Sequence, residues 1–571
     1  MYPVCRRETV MGQTSISGEE SIAYGAVAAG AAVIASYPGS PGSTAVQKLF
    51  SLADAYGLHV EWSTNEKVAF ETAAGASIGG VRALMACKGV GFNVALDPIM
   101  VANLTDVGAG LVVVLGDDPG AWASQNDQDT RPIVYGTELP MLEPTTPAEG
   151  LAAMGEAFRL SDEFQMPVVV RITKSFGAMR QTVDLPMIRP AERPTGRSFP
   201  REPMRWISVP GNAVALHRRQ HERLEKLATR FESSPFNQIV GNGRLGIVAA
   251  GFAHTKLMEV LEGAETADFS IFLLSTLYPL PVGRLTAFLE TVDRALVLEE
   301  NEPFIEKLLK AAAFEARVYA PIEGKRNGLV PREGELFCWQ IAETLRCFSP
   351  GFRLAGTWGP EAEKKYMPSL SGLPENCPYT PVFETLRRIA EEMDVRPVYV
   401  VDPGCAIKIN TPSFEMLDIK YSMGSSIGLA SGLIHAGISD PVVAVVGDSD
   451  FFHLAVNALF NVAHQGSNLL VLVLDNATTA LSGFQPAPGL GETDGTGALR
   501  IEEIAAACPV SMVETVDPWR TLETEEALRR GLSGVGIRVV IARHPCPYIE
   551  ARHCPGYRPA SAPVEVEQAE P

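Results

Sequence analysis

A chain of 571 residues, 46% hydrophobic and 20% charged, has the balance of a water-soluble protein of three or four domains. Its net charge of −19 argues against a nucleic-acid partner, and no uninterrupted apolar run of about 20 residues marks a membrane span. Met1 to Thr14 carries Arg6 and Arg7 without an apolar stretch of the kind a signal peptide needs, and the nine cysteines form no CxxC pair. The expectation is a cytoplasmic protein with no disulfide framework, zinc knuckle or cysteine-ligated iron–sulfur cluster of its own.

From Gly18 to about Thr173, helical periodicity alternates with short apolar runs: Glu19–Ala29, Ser43–Tyr56, Glu66–Gly80, a helix after Phe92 and Pro147–Glu163 as helices, and Ala31–Ser36, Leu58–Trp62, Ala83–Cys87, Leu111–Leu115 and Val168–Ile172 as strands. Such alternation predicts an α/β domain, 15–190, around a parallel sheet. Between Pro186 and Pro210 the chain turns rich in Pro and Arg without apolar period, and 191–240 is assigned as linker, with a charged helix-like stretch at His217–Phe231. A smaller α/β domain, 241–345, has strands at Leu245–Ala249, Ser270–Leu273 and Arg294–Glu299 and helices from Thr255 and after Val282. Its Glu299-Glu300-Asn301-Glu302 falls at a strand end, where ligand-facing and domain-facing residues collect. A second large α/β domain, 377–545, has strands at Val398–Val401, Val442–Val446, Leu469–Leu474 and Arg538–Ala542, with helices at Met423–Ala436, Phe451–Gln465 and Glu502–Ala507. Residues 556–571 read as a disordered tail.

The strongest chemical signal lies in this last domain. Val442–Val446 ends in Gly447-Asp448-Ser449-Asp450, and 28 residues after Asp448 the next strand ends in Asp475-Asn476-Ala477-Thr478. One βαβ crossover brings both strand ends to the same sheet edge, so Asp448 and Asn476 can face one another. A carboxylate, an amide oxygen and a carbonyl near Thr478 form the sparse oxygen set that Mg²⁺ accepts while keeping diphosphate oxygens and water. The free N–H groups of the helix after Asp450 suit the same anion. Taken alone, a Gly-Asp turn and an Asx cap also end strands in many α/β proteins.

Gly447-Asp448-Ser449, followed at this spacing by Asn476, resembles the diphosphate and metal motif of thiamine diphosphate-dependent enzymes. A second element agrees: in Trp62-Ser-Thr-Asn65-Glu66-Lys67-Val-Ala69-Phe-Glu71-Thr-Ala73-Ala-Gly75, an acid at a strand end opens a small-residue helix. Thiamine needs a carboxylate against its pyrimidine ring to activate the thiazolium carbon, and Glu66 is the candidate, with Glu71 the weaker rival. Without that pattern, Glu66 would read as a first-turn carboxylate placed by the helix dipole.

Gly18-Glu-Glu-Ser-Ile-Ala-Tyr-Gly-Ala, Ser36-Tyr-Pro-Gly-Ser40-Pro, Leu111-Val-Val-Val-Leu-Gly-Asp-Asp-Pro-Gly, Ser124-Gln-Asn-Asp-Gln-Asp, Leu142-Glu-Pro, Gly447-Asp-Ser-Asp-Phe-Phe-His453 and Asp475-Asn-Ala-Thr-Thr-Ala-Leu-Ser-Gly extend the match. Over roughly residues 15–545 the chain resembles the alpha subunits of indolepyruvate ferredoxin oxidoreductases, in the 2-oxo acid oxidoreductase family. The resemblance implies a pyrimidine-binding domain, a transketolase-C-like middle domain and a diphosphate-binding domain. It also implies oxidative decarboxylation of an aryl or branched 2-oxo acid to an acyl-CoA, with coenzyme A as acceptor, a smaller beta-type partner subunit, and a homodimer or heterotetramer.

Three departures accompany it. The family's C-terminal ferredoxin-like cysteine motifs are missing, Cys546 and Cys554 being too few for a four-iron cluster. Lys88-Gly89-Val90-Gly91 stands where the family reads Lys-His-Val-Gly. Ser482-Gly483-Phe484-Gln485 replaces a stretch that usually holds His before Gln. The non-oxidative alternative, a decarboxylase, lyase or carbon–carbon ligase, and a non-catalytic scaffold therefore stay open. Thiamine diphosphate and Mg²⁺ are the expected cofactors, with Gly447, Asp448, Ser449, Asn476, Thr478, Glu66 and Cys405 on the first and Asp448, Asn476 and Thr478 on the metal. Glu66, His453 and Lys88 are the catalytic candidates, and Ser40 and Lys88 the substrate contacts. For each of the lesser ones a plainer reading stands beside it: Lys88 solvated at a strand end, His453 packed in a helix, Cys405 an inert buried thiol, Ser40 part of a Pro/Gly turn.

Overall fold

The computed structural model describes residues 13–550 apart from 187, 189, 191–198, 200, 203, 361–371, 412–413 and 491–496. The tail expected at 556–571 lies outside the described residues. The described residues divide into two compact units, one up to residue 360 and one from residue 372 on.

In the first unit, capping chemistry and apolar runs place the elements where the sequence puts them. Ser17 and Glu20 close a reciprocal cap on the helix Gly18–Ala28 (Ser17 N to Glu20 Oε2, 2.8 Å; Glu20 N to Ser17 Oγ, 3.1 Å). The Asn65 side chain accepts from Val68 N at 2.9 Å and starts Glu66–Ile78. A seven-stranded sheet runs Thr276–Tyr278, Met141–Leu142, Val168–Thr173, Leu111–Asp117, Ala83–Lys88, Val33–Ser36, His59–Trp62. Its core strands are parallel and buried along their length, as continuous Val/Leu/Ile runs require.

The edge strand Thr276–Tyr278 is antiparallel and comes from the middle segment. That segment builds its own sheet, Ile322–Glu323, Arg294–Leu298, Leu245–Ala250, Phe269–Leu274, Asn237–Gly241. One hydrophobic core joins the two: Met85, Val113 and Met141 of the first sheet pack in the same cluster as Val248, Phe272 and Leu285. The residues assigned to two domains therefore form one unit, because neither face of the first sheet is left to water.

The linker assignment is corrected at its far end. Ala213–Glu232 is a 20-residue helix whose Leu224, Leu227 and Phe231 sit in the core under the first sheet, and Asn237–Gly241 is an edge strand of the middle sheet. Leu216, Gln220, Leu224, Leu227 and Phe231 recur at helical spacing on one face of an otherwise charged helix, and burying that largely apolar stripe outweighs its polar composition. Arg223 fixes the helix by donating to Asp106 Oδ1, Gln165 O and Asn103 O.

The second unit is a five-stranded parallel sheet in the order Val398–Val401, Val442–Gly447, Leu469–Asp475, Ile537–Arg543, Met512–Val516. Helices Tyr379–Glu392, Ser426–His435, Val456–Gln465 and Thr521–Ser533 cover it. The expected helix Phe451–Gln465 starts differently: a turn at Asp448–Asp450 leads into a π-turn at Phe451–Ala455 before the regular helix begins. Such insertions recur at functional sites.

Candidate active site

In the second unit three neighbouring strands end in acids. Val398–Val401 runs into Asp402, Val442–Gly447 into Asp448 and Asp450, and Leu469–Asp475 ends in Asp475 itself, next to Asn476. Because Val442–Gly447 and Leu469–Asp475 pair directly and in parallel, with Gly447 opposite Leu474, Asp448 and Asn476 leave the sheet at the same edge. Asp402, Asp448 and Asp450 are each under 5% exposed.

Only part of this charge is answered. Asp475 accepts from Arg543 Nε at 2.7 Å and from Ala477 N at 3.2 Å. Asp448 Oδ1 accepts from Ser449 N at 2.7 Å, while Asp448 Oδ2, Asp450 Oδ1 and Asp402 Oδ2 are buried without a hydrogen-bond partner. Burial, with Asp475 adding to it, pushes the Asp448 carboxyl well above the ordinary carboxylate range, although the amides of Ser449, Ala477 and Thr478 pull it down. Burial, then Asp402 and Asp448, does the same to Asp450, and burial raises Asp402 to about 7. Acids this close and this dry are stable only with protons or a cation among them.

The motif's glycine has a physical reason here. A Cβ on Gly447 would stand 2.7 Å from Asp450 Oδ2, so any side chain there would displace that carboxylate. Ser449 Oγ meets Thr479 Oγ1 at 2.8 Å, and Thr478 donates its N–H to Asn476 Oδ1 (3.1 Å) and its hydroxyl to Gln485 O (3.0 Å). The Asn-Ala-Thr segment is thereby folded into a fixed loop. His453 is buried inside the π-turn. Ser482 and Gln485, where the family holds His before Gln, bond to each other (Ser482 Oγ to Gln485 Oε1, 2.8 Å; Gln485 Nε2 to Ser482 O, 2.7 Å).

Beside this edge, a pocket in the same unit is lined by Cys377, Tyr379, Cys405, Lys408, Asn476, Ala480, Phe484 and Cys546. Cys405 opens the short helical turn Cys405–Ile409. Burial pushes its thiol up to about 12, with Cys377, Cys546 and Asp448 adding to the rise, so at neutral pH it is protonated. Sequence reading singled out Cys405 and missed the convergence of Cys377 and Cys546 on the same pocket, because the three come from distant parts of the chain. It also passed over Asp402 and Asp450 as chemistry, although Asp450 stands in a quoted motif.

In the first unit the other candidates cluster at one edge of the seven-stranded sheet. Glu66, 5% exposed, opens its helix just beyond His59–Trp62. The close approach is carved by two glycines: a Cβ on Gly91 would lie 2.3 Å from Glu66 Oε1, and one on Gly89 2.6 Å from Asp117 Oδ1. A side chain at position 89 would therefore collide with Asp117. Lys88 Nζ reaches Ala123 O at 3.5 Å, and its stem lies on the loop carrying half-buried Ser40, where a Cβ on Gly39 would stand 2.9 Å from Lys88 Cδ. Burial lowers the Lys88 ammonium from its usual range, with Asp118 and Glu66 holding it up. Glu66, Lys88 and Ser40 are brought together; Glu71 is not, lying at the surface in an ion pair with Lys67.

The family motif Ser124–Asp129 and the acidic strand end at Glu299 turn out to face each other inside this unit. Arg131, 1% exposed, donates to Asp129 Oδ2 (2.7 Å), Glu299 Oε2 (2.8 Å) and Glu302 O (2.9 Å). Asp127 accepts from Asn301 Nδ2 at 2.8 Å. These bonds join segments distant in sequence.

Comparison with known proteins fits this geometry. Residues 24–225 match the family model described as pyruvate flavodoxin/ferredoxin oxidoreductase, thiamine diP-binding, and residues 408–542 match thiamine pyrophosphate enzyme, C-terminal TPP binding domain. The chain is a thiamine diphosphate-dependent enzyme of the 2-oxo acid oxidoreductase type. It is 36% identical to the indolepyruvate oxidoreductase subunit IorA of Pyrococcus abyssi over 93% of this chain and 85% of that one. It is 35% identical to the IorA of Methanothermobacter thermautotrophicus, over 93% and 86%, and 34% identical to that of Archaeoglobus fulgidus, over 94% and 86%. The chain belongs to the indolepyruvate oxidoreductase IorA family.

Proposed function

We propose that this enzyme oxidatively decarboxylates an aryl or branched 2-oxo acid to an acyl-CoA in the cytoplasm, passing electrons to a smaller beta-type partner subunit. The observation that carries the reading is the buried, unpartnered Asp448 Oδ2 at a strand end beside Asn476. Asp448, Asn476 and the Thr478 carbonyl are the fitting ligands for Mg²⁺, an oxygen set with charge to spare, and Gly447 and Ser449 lie where the diphosphate would be held. Bound there, thiamine diphosphate would supply the electron sink that decarboxylation of a 2-oxo acid needs. Glu66, sunk beside Gly91, holds the proton on the pyrimidine ring that activates the cofactor. Lys88, backed by Asp118, neutralises the substrate carboxylate, and Ser40 in the adjoining loop orients it. His453 is the remaining imidazole on the π-turn for proton transfer, and the Cys405 thiol packs as a neutral wall. The substrate class follows the names of the relatives, which act on indolepyruvate.

A non-oxidative ending is the second reading, favoured by Gly89 and Ser482 standing where the family carries imidazoles. Mass spectrometry of products from indolepyruvate and phenylpyruvate, with thiamine diphosphate, Mg²⁺ and coenzyme A, separates the two. Acyl-CoA that forms only with an artificial electron acceptor supports oxidation. Aldehyde or a carbon–carbon adduct, indifferent to the acceptor, overturns it.

A further inference from the structure

At the surface of the first unit, two imidazoles and a carboxylate that no step above uses converge. His217 and His221 stand four residues apart on the helix Ala213–Glu232, so both rings project from one face, with centroids 4.3 Å apart. Their Nε2 atoms meet the two oxygens of Glu138, at 3.1 Å for His217 and 3.0 Å for His221. Glu138 ends the short helix Arg131–Thr137 in the left-handed region (φ 58°), which turns its side chain across to the longer helix.

The electrostatics of the group are incomplete. The Glu138 carboxylate takes a third hydrogen bond from Gln220 Nε2 (2.9 Å), and no lysine or arginine pairs with it among the described residues. Both histidines are about half exposed, so an ion can reach them. The three ligand atoms lie within 4.8 Å of one another. Four ligands around Zn²⁺ at about 2.0–2.1 Å stand roughly 3.3 Å apart, close to the two His–Glu separations.

We propose that His217, His221 and Glu138 form a binding site for a borderline transition-metal dication of the zinc class, with water completing the coordination. Two imidazoles and one carboxylate select such an ion over Mg²⁺ or Ca²⁺, which prefer oxygen. Binding replaces the two Nε2–H···O hydrogen bonds with Nε2–metal bonds, the proton of each neutral ring moving from Nε2 to Nδ1, and involves no redox change. The ion ties the helix that follows the 191–210 stretch to the turn after Thr137, and so fixes how that helix lies on the first sheet.

The test uses the full chain stripped with EDTA, then dialysed against Zn²⁺, with Co²⁺ as a visible probe. The wild-type chain should take up one equivalent more than the His217→Ala/His221→Ala variant, and the extra Co²⁺ should show nitrogen and oxygen ligation without sulfur charge-transfer bands. Its thermal midpoint should rise with Zn²⁺ in the wild type and not through this site in the variant. Glu138→Gln, which keeps the side chain's shape, should weaken uptake at least tenfold and serves if the double variant does not fold. Equal uptake by wild type and variants, or none by the wild type, overturns the proposal.

Discussion

Buried charge is handled in opposite ways in the two units. In the first, three buried cations sit among acids: Arg131 with Asp129 and Glu299, Arg171 with Asp117 and Glu143, Lys256 with Glu300 and Glu335. In the second, Asp402, Asp448 and Asp450 have mostly one another, and each keeps a carboxylate oxygen without a hydrogen bond. A closed network returns the desolvation cost of its ions as mutual attraction and holds segments together. An open acidic cluster cannot do that, and its acids stay destabilising until something cationic arrives. The open acids of the second unit therefore suggest a ligand, whereas those paired with Arg131, Arg171 and Lys256 in the first point to architecture.

Replacing one cation should break the first half of this comparison most severely. Arg131→Leu leaves Asp129 and Glu299 facing each other in the interior, and should lower the stability of the first unit by about 3–5 kcal/mol in denaturant melts. A loss below about 1 kcal/mol would show that the network is not what holds the segments. In the second unit the sign reverses. Asp448→Asn removes a repelled charge, so the cofactor-free, Mg²⁺-free chain should melt at the same temperature or higher, while affinity for thiamine diphosphate in Mg²⁺, read by calorimetry, falls at least tenfold. Lower apo stability with intact cofactor affinity would make Asp448 a structural acid.

The smallest effect tests whether an unanswered buried group always marks a site. His254, in the first unit, has a buried Nδ1 without a partner, and burial alone lowers its pKa to about 4. Because the folded value lies below the ordinary 6.5, the group favours the folded state above pH 6.5, and that contribution is lost as pH falls toward 4. Between pH 6.5 and 5.5 the wild type should lose about 1 kcal/mol more than His254→Gln, with cofactor affinity unchanged. An equal loss in both would remove His254 from the account.

How far the sequence could be read follows from where the signal sits. Ser43–Tyr56 and Val398–Val401 coincide with their expected limits because apolar periodicity and turn residues are local. Tyr379–Glu392 and Thr521–Ser533, strongly amphipathic helices, went unassigned because their charged faces mask the buried stripe in a linear reading. Gly447-Asp448-Ser449 and Asn476 were legible because a βαβ unit has one handedness and one edge for its strand ends. Cys377 and Cys546 were not, and neither were His217, His221 and Glu138, since nothing local couples positions so far apart.

The sequence by itself determined the parallel sheets, the two strand-end motifs and the acids in them, because propensity, alternation and crossover geometry act over tens of residues. Only the tertiary structure decided which acids are answered. Whether Asp129 meets Arg131 and Glu299, or Asp448 meets Asp475, depends on which segments pack together, and in a low-dielectric interior that neighbour, not the residue type, sets whether a carboxylate is a strut or a ligand.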